Sequence, residues 1–365
     1  MSIRIEDFCA YAPKSGIKAG EATKEGQYMF FTSSEDESKR YTDYQFDGEG
    51  IIMGTGGNAT LHYYHGKYAV STDCIVLIPN DRVRCKYLYY FFLANMPILE
   101  AGFKGAGLKH TNKKYIGNIT ISSIPSLEEQ ERIIKILDEV SDIINARNLE
   151  ITAFDDLTKA RFVEMFGTVK DNPYGFPTAT LKEVCYKITD GKHGGCEKEA
   201  DSGYYYVGAR EIYDGVIHYD AAPQITYADY AKDYRRCNIE QGDLVIVSTG
   251  ATIGKTAIAT SPLTEKTLLQ KSVALIKVKS DVISAKFLQY CYMTNLSMYM
   301  VENASAQPNL LLSKMNATVI YLPPLDLQEQ FSAFVAQAEK SKVAVQKALD
   351  ETQLLFDSLM QQYFG

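Results

Sequence analysis

The chain has 365 residues, 46% hydrophobic and 23% charged, with a formal net charge of -7. That is enough for two or three domains with cores of their own, and it argues against an indiscriminately basic nucleic-acid binder. No run of about twenty apolar residues offers a membrane span, the start MSIRIEDFCAYAPKSG lacks a signal-peptide pattern, and the scattered cysteines form no Cys-x-x-Cys pair and read as reduced thiols; the cytoplasm is the expected compartment.

In chain order, Ile5-Glu6-Asp7-Phe8 and Tyr28-Met29-Phe30-Phe31 are short segments that recur in the second half. An apolar run then breaks into a glycine turn (EGIIMGTGGNAT), followed by strand-like KYAVSTDCIVLIP (67–79) and a short helix, KYLYYFFLAN (86–95). His62 and His65, three apart in a probable strand, point to opposite faces and make poor metal ligands; they read as surface histidines among tyrosines. A polar basic loop leads into IPSLEEQERIIKILDEVSDIINARNLEITAFDDLTKARFVEMFG (124–167). Ile133, Leu137, Val140, Ile144, Ile151 and Phe154 keep a four-three spacing there, broken only by Arg147. Pro125 before and Gly167 after mark its limits.

The pattern then repeats with a period close to two hundred residues, which is duplication of a whole unit and not a solenoid. Leu181–Val184 answers Ile5–Phe8, and Tyr204–Val207 answers Tyr28–Phe31. The glycine turn returns in DLVIVSTGATIG, the strands in KTLLQKSVALIKV and the short helix in AKFLQYCYMTN (285–295). LPPLDLQEQFSAFVAQAEKSKVAVQKALDETQLLFDSLMQQYFG (322–365) answers the long helix, Gln330 matching Gln130 and Phe364-Gly365 matching Phe166-Gly167. Its expected packing residues are Phe331, Phe334, Ala338, Val345, Leu349, Leu355 and Leu359. Two helices of about 57 Å each are too long for one domain face and favour packing on each other. The acid gathers there: residues 123–170 carry six basic against ten acidic side chains, residues 321–365 three against six.

STGATIGKTAI (248–258) looks like a phosphate-binding loop. Only three residues separate Gly250 from Gly254, one fewer than that loop requires, and the stretch beyond Lys255 reads as a hairpin, not a helix. The first copy, MGTGGNATLHY, keeps the glycines and drops the lysine, so both are structural turns. No methyltransferase Asn/Asp-Pro-Pro-Tyr/Phe motif occurs; NPYGFP (172–177) is one proline short and sits in a linker position.

This order of parts resembles the specificity (HsdS-type) subunit of type I restriction-modification systems over nearly the whole length, from KSGIKAGEATKEGQYMFFTSS through IPSLEEQ and STGATIGKTAI to AQPNLLLSK and SLMQQYFG. The resemblance implies an α+β fold: target recognition domain 1 (1–122), first spacer helix and linker (123–170), target recognition domain 2 (171–320) and second spacer helix (321–365). The spacer helices would form an antiparallel coiled coil, and the repeat a pseudo-twofold. It implies double-stranded DNA as ligand, read in two halves, two methyltransferase subunits as partners and, where one is present, a restriction/translocase subunit. The chain itself would be no enzyme and hold no cofactor or metal; S-adenosylmethionine and ATP would reside in the partners. The competing readings are a scaffold built on the paired helices and a stand-alone NTPase or methyltransferase.

For a DNA reader, phosphate contacts come from Lys, Arg, Ser and Thr in loops, and base contacts from side chains with two-pronged geometry. The first half offers Lys14, Ser15, Lys18, Thr32, Ser33, Ser34, Lys109, His110, Asn112 and Lys113. The second offers Lys192, His193, Arg210, Arg235, Arg236, Lys255, Gln307, Asn309 and Lys314.

Overall fold

A computed structural model describes residues 2–105, 107, 109–168, 170–295 and 310–365. It divides into two compact units. One comprises the residues up to Leu149 together with Val345–Gly365, the other Glu150–Ala344. The fold is α+β with an internal repeat. Among the described residues no helix is long and apolar enough to cross a membrane, and no group of His, Cys, Asp or Glu is arranged to hold a metal.

The first unit is built on a six-stranded sheet in the order Cys9–Tyr11, Cys74–Pro79, Phe46–Gly54, Leu61–Val70, Tyr28–Phe31, Arg40–Tyr41. All its pairings are antiparallel except Tyr28–Phe31 on Leu61–Val70, where Phe30 lies opposite Ala69. The second unit repeats the scheme: Cys185–Asp190, Val273–Val278, Leu244–Val247 and Thr256–Ile258 form a sheet, and Tyr205–Val207 runs parallel to Thr267–Leu269. Each half is also closed at its base by a small antiparallel pair, Ile3–Arg4 on Thr120–Ile121 and Thr178–Thr180 on Val319–Tyr321. The central strands carry β-branched and long apolar residues that are buried, Ile51, Ile52, Val76 and Leu77 in one half and Val245, Ile246, Leu275 and Ile276 in the other.

The glycine turn of the second half joins Leu244–Val247 to Thr256–Ile258, antiparallel neighbours with Ile246 opposite Thr256. Gly250 and Gly254 take positive φ there. A strand, not a helix, comes after the lysine, so the loop has no helix N-terminus to offer a phosphate. His62 departs from the expectation of a surface residue. It is 5% exposed, its Nδ1 2.9 Å from a Glu37 carboxylate oxygen and its Nε2 3.0 Å from the Ser34 carbonyl. His65 points the other way and is exposed.

The long helices run over Leu127–Phe166 and Leu325–Phe364, each about 60 Å. Ser126 caps the first, its hydroxyl accepting the Glu129 amide. At its end Gly167, at φ +72°, donates its amide to the Val163 carbonyl, and the left-handed conformation is one that glycine adopts without a steric cost. Each unit takes the beginning of one long helix and the end of the other. In the first, Ile133 and Leu137 share a core with Met360 and Phe364, while Arg147 reaches Ala348 and Thr352. In the second, Phe162 and Phe166 pack on Phe331, and Lys342 pairs with Asp155 at 2.7 Å. Within each unit the two segments are therefore antiparallel.

The seam follows the expected positions only in part. Ile133, Leu137, Val140, Phe331 and Ala338 are buried, and Ile144, Ile151, Phe154, Phe334, Val345, Leu349 and Leu359 half-buried. Leu355 is 51% exposed and lies off the seam, which passes instead through Thr352, Phe356 and Met360. Six residues from Leu349 to Leu355 are about one and two-thirds turns, which rotates the side chain away from the partner helix. The residue equivalent to Gln130 also differs from expectation. It is Gln328, fully buried like Gln130, whereas Gln330 is exposed.

Candidate nucleic-acid interface

In the first unit the glycine turn after Phe46–Gly54 is welded to two other loops. Gly54 packs so closely that a Cβ there would sit 2.8 Å from Ser33 Cα. The Ser33 hydroxyl donates to the Asp73 carbonyl at 2.6 Å and accepts the Thr55 amide at 3.1 Å. Thr55 Oγ1 donates to the same carbonyl at 2.9 Å. From the other side the Gly57 amide donates to Lys109, and the Thr111 amide to the Thr55 carbonyl; His110 Nδ1 lies 3.2 Å from that carbonyl. Ser33, Lys109 and His110, far apart in sequence, thus belong to one loop cluster, with Lys109 and His110 exposed.

Beside it lies an open cavity of about 210 Å³, lined by Lys14, Thr55, Thr72, Thr111, Asn112 and Lys113 over a floor that includes Val70 and Val76. Asn112 uses its side-chain oxygen to cap the helix Lys113–Gly117, accepting the Tyr115 amide at 3.0 Å. Its side chain also carries an amide nitrogen that can donate. Lys113 Nζ stands 5.0 Å from the centre of the Tyr11 ring. Lys14 and Lys18 are exposed on the segment that borders this cavity.

Three first-half candidates make hydrogen bonds within the fold. Ser15 is buried, its hydroxyl accepting the Ile17 amide at 3.0 Å and the Gln45 side-chain amide at 2.9 Å. Thr32 is buried too, and Lys39 Nζ bridges its hydroxyl and that of Ser34 at 2.7 and 2.9 Å. These hydroxyls shape the loop from beneath.

The second unit has its own cluster, but much of its charge is compensated internally. Lys192 Nζ sits 2.5 Å from Asp233 and 3.7 Å from Asp229, with its side chain only 11% exposed, and the hydrogen bond to Asp233 raises its pKa. Arg236 and His193 both donate to Asp190, His193 at 2.6 Å. Burial pushes Asp190 upward, but the hydrogen bonds and charges of His193 and Arg236 outweigh it and leave the carboxyl below its usual range. Lys192 and Arg236 therefore hold the helix Tyr227–Cys237 against the loop after Cys185–Asp190, where the sequence suggests DNA contacts. Arg210, Arg235, Lys255 and Lys314 are exposed. Gln307 and Asn309 lie outside the described residues. The anchoring of the glycine turn recurs: the Ser248 amide donates to the Ser272 carbonyl, and the Leu310 amide donates to the Ser248 carbonyl.

Sequence reasoning misses Thr55 and Thr72 at the first cavity and the carboxylates Asp229 and Asp233. The last two stand four apart on a helix, one face of it, a spacing visible in YADYAKDYRRC.

Residues 1–153 and 173–352 match the family described as the type I restriction modification DNA specificity domain. The type I restriction enzyme MjaVIII specificity subunit of Methanocaldococcus jannaschii is 25% identical over 260 residues, 67% of this chain and 60% of that one. A putative type I specificity subunit of Mycoplasma pneumoniae, S.MpnORF615P, is 32% identical over 142 residues, 37% of this chain and 56% of its own. The match thus spans about three-fifths of the relatives' length. Among solved structures, the S subunit of a type I restriction-modification system from M. genitalium superposes with a TM-score of 0.64 at 16% identity, covering 100% of this chain and 96% of its own. A chain from a type I R-M system solved for its complex assembly and conformational transition gives 0.53 at 18% identity, covering 100% and 97%. These two likenesses concern the fold.

Proposed function

The chain belongs to the type I restriction modification DNA specificity family, and on that premise we propose that it is the subunit that directs a type I restriction-modification methyltransferase to a DNA target read in two parts. The observation that carries this reading is the recurrence, in both halves, of one device. A glycine turn is tied on one side to the residue just before a later strand, Asp73 or Ser272, and on the other to a polar segment bearing cationic or amide side chains, around His110 in one half and Leu310 in the other.

In this reading the exposed Lys14, Lys18, Lys109 and Lys113, and in the second half Arg210, Arg235, Lys255 and Lys314, neutralise phosphates. The Asn112 amide and the arginine forks address base edges. Lys192 and Arg236, paired to carboxylates, hold their loop in place. With halves near neutrality, binding by the chain alone is modest, and methyltransferase subunits add grip by enclosing the duplex. Methyl transfer from S-adenosylmethionine belongs to those subunits and ATP-driven steps to a restriction/translocase subunit; this chain reads and positions. It acts in the cytoplasm, where the DNA is.

The test is methylome sequencing of cells expressing the chain with and without the methyltransferase subunit encoded beside it. A split adenine-methylated motif present only with both is the expected result. Its absence, with both proteins soluble and associated, overturns the reading.

A further inference from the structure

Two fully buried glutamines occupy equivalent places in the two halves. Gln130 accepts the Arg84 amide at 2.7 Å and donates through Nε2 to the carbonyls of Arg82 and Pro125 at 3.0 and 2.9 Å. Gln328 accepts the Ser284 amide at 2.8 Å and donates to the carbonyls of Val282 and Pro323 at 3.4 and 2.8 Å. All three bonds of each side chain go to backbone atoms, and those atoms lie on two separate segments. One is the turn that opens the short helix Cys85–Ala94 or Ala285–Thr294; the other is the proline that opens the long helix.

We propose that Gln130 and Gln328 are positioning residues that lock each recognition half to the start of its long helix, and that this lock sets the tolerance for the spacing between the two parts of the target. The proposal rests on the function proposed above. Apolar burial is non-directional, whereas a side-chain amide with three backbone partners adds bonds of defined direction as well as distance.

The lock lies on a short path to the loops. From Arg82–Arg84 the chain runs back through Asn80, whose carbonyl accepts the Val83 amide, and along Cys74–Pro79 to the Asp73 carbonyl that holds Ser33 and Thr55. From Val282–Ser284 it runs back along Val273–Val278 to the Ser272 carbonyl that holds Ser248. In each half the glutamine therefore ties the glycine turn to the long helix through one strand. The halves keep the glutamine although they differ around it: Lys86 and Tyr90 bond Asp138 in one, while Lys286 pairs with Glu339 in the other.

The experiment uses the full chain with its methyltransferase subunits, and compares methylation of duplexes carrying the native spacing with duplexes one base pair longer or shorter. Gln130→Met and Gln328→Met remove all three bonds; Gln130→Asn and Gln328→Asn keep the chemistry but fall a methylene short, as a gentler pair should the first fail to fold. Leu137→Ala is a control that weakens the same core. The expected result is at least a tenfold loss of preference for the native spacing in the glutamine variants, with methylation of the native duplex changed less than threefold. Leu137→Ala lowers thermal stability and leaves the preference as it was. An unchanged preference in the glutamine variants, or a loss matched by Leu137→Ala, overturns the proposal. Hydrogen exchange on the same samples reads the amides of Arg84 and Ser284 directly. If the wild-type complex methylates nothing, the functional reading fails, and exchange decides the lock alone: at least tenfold faster exchange at those amides supports it, and unchanged exchange overturns it.

Discussion

Thr352 accepts a hydrogen bond from the guanidinium of Arg147 and donates its own to the Ala348 carbonyl at 2.7 Å, a carbonyl that Arg147 also reaches. The break in the apolar seam of one long helix thus meets the break in the seam of the other. Polar groups inserted in a helix pair fix register because every shifted register leaves them without partners. Arg147→Ala is expected to destabilise the first unit by about 2 kcal/mol, and Thr352→Val by about 1 kcal/mol. The double replacement Arg147→Leu with Thr352→Val is expected to fall within about 1 kcal/mol of the wild type, since no polar group is then stranded. Urea unfolding of the four proteins closes the cycle; simple additivity would mean that the two do not act together.

Phe166 and Phe364 close the two long helices, and both are buried. Phe166 packs on Phe287 at 5.0 Å between ring centres, Phe364 on Tyr87 at 5.2 Å. Replacing either by Ala should cost about 3–5 kcal/mol. Hydrogen exchange should place the damage of Phe166→Ala in residues 150–344 and that of Phe364→Ala in the other unit.

Asp190 supplies a pH dependence whose sign is fixed by its neighbours. Its carboxyl is held below the usual range by His193 and Arg236 despite burial. A depressed folded-state pKa contributes stability that is present above the unfolded value, about 3.9, and is lost as pH falls through the folded value. Asp190→Asn should therefore be less stable than the wild type at pH 6, the gap closing below about pH 4. Urea midpoints measured from pH 6 down to pH 3 check this; a gap that stays constant would contradict it.

Lys14 and Lys113 flank the cavity of the first unit and are exposed. On the proposed function, replacing each by Ala in the assembled complex should weaken DNA binding for all sequences alike and reduce the salt slope by about 0.9 for each phosphate no longer neutralised. Lys192→Ala, which removes an internal ion pair, should change the slope much less and the thermal stability more. Fluorescence anisotropy over a salt series distinguishes the two classes.

The repeated order of elements is legible in the sequence because the two copies share strand, turn and helix patterns, and a heptad seam declares itself in one dimension. The expected seam fails at Leu355 because its true course runs through Thr352, a polar residue that joins only when its partner Arg147 is known. Gln330 stands in for Gln328 in the sequence alignment of the two copies because both are glutamines two apart, and only burial separates them. In the candidate interface, Asn112 and Lys113 lie together as neighbours in sequence do, whereas Lys14 joins them only through the fold. Ser15, Thr32 and Lys192 are held by partners within the fold, and the sequence does not announce these partners for one physical cause. Their partners Gln45, Lys39 and Asp233 lie 30, 7 and 41 residues away, and a loop composition carries no record of which charges the fold will pair.

The allotment of helix halves also orders the birth of the protein. Residues 150–344 form an uninterrupted stretch, so that unit can complete itself as the chain emerges from the ribosome. The other unit waits: Ile133 and Leu137 are synthesised more than two hundred residues before Met360 and Phe364, their companions in one core. Until translation reaches that point, the nascent first half carries an uncovered apolar face, so of the two units the one begun earlier is finished later and is the more in need of chaperone cover.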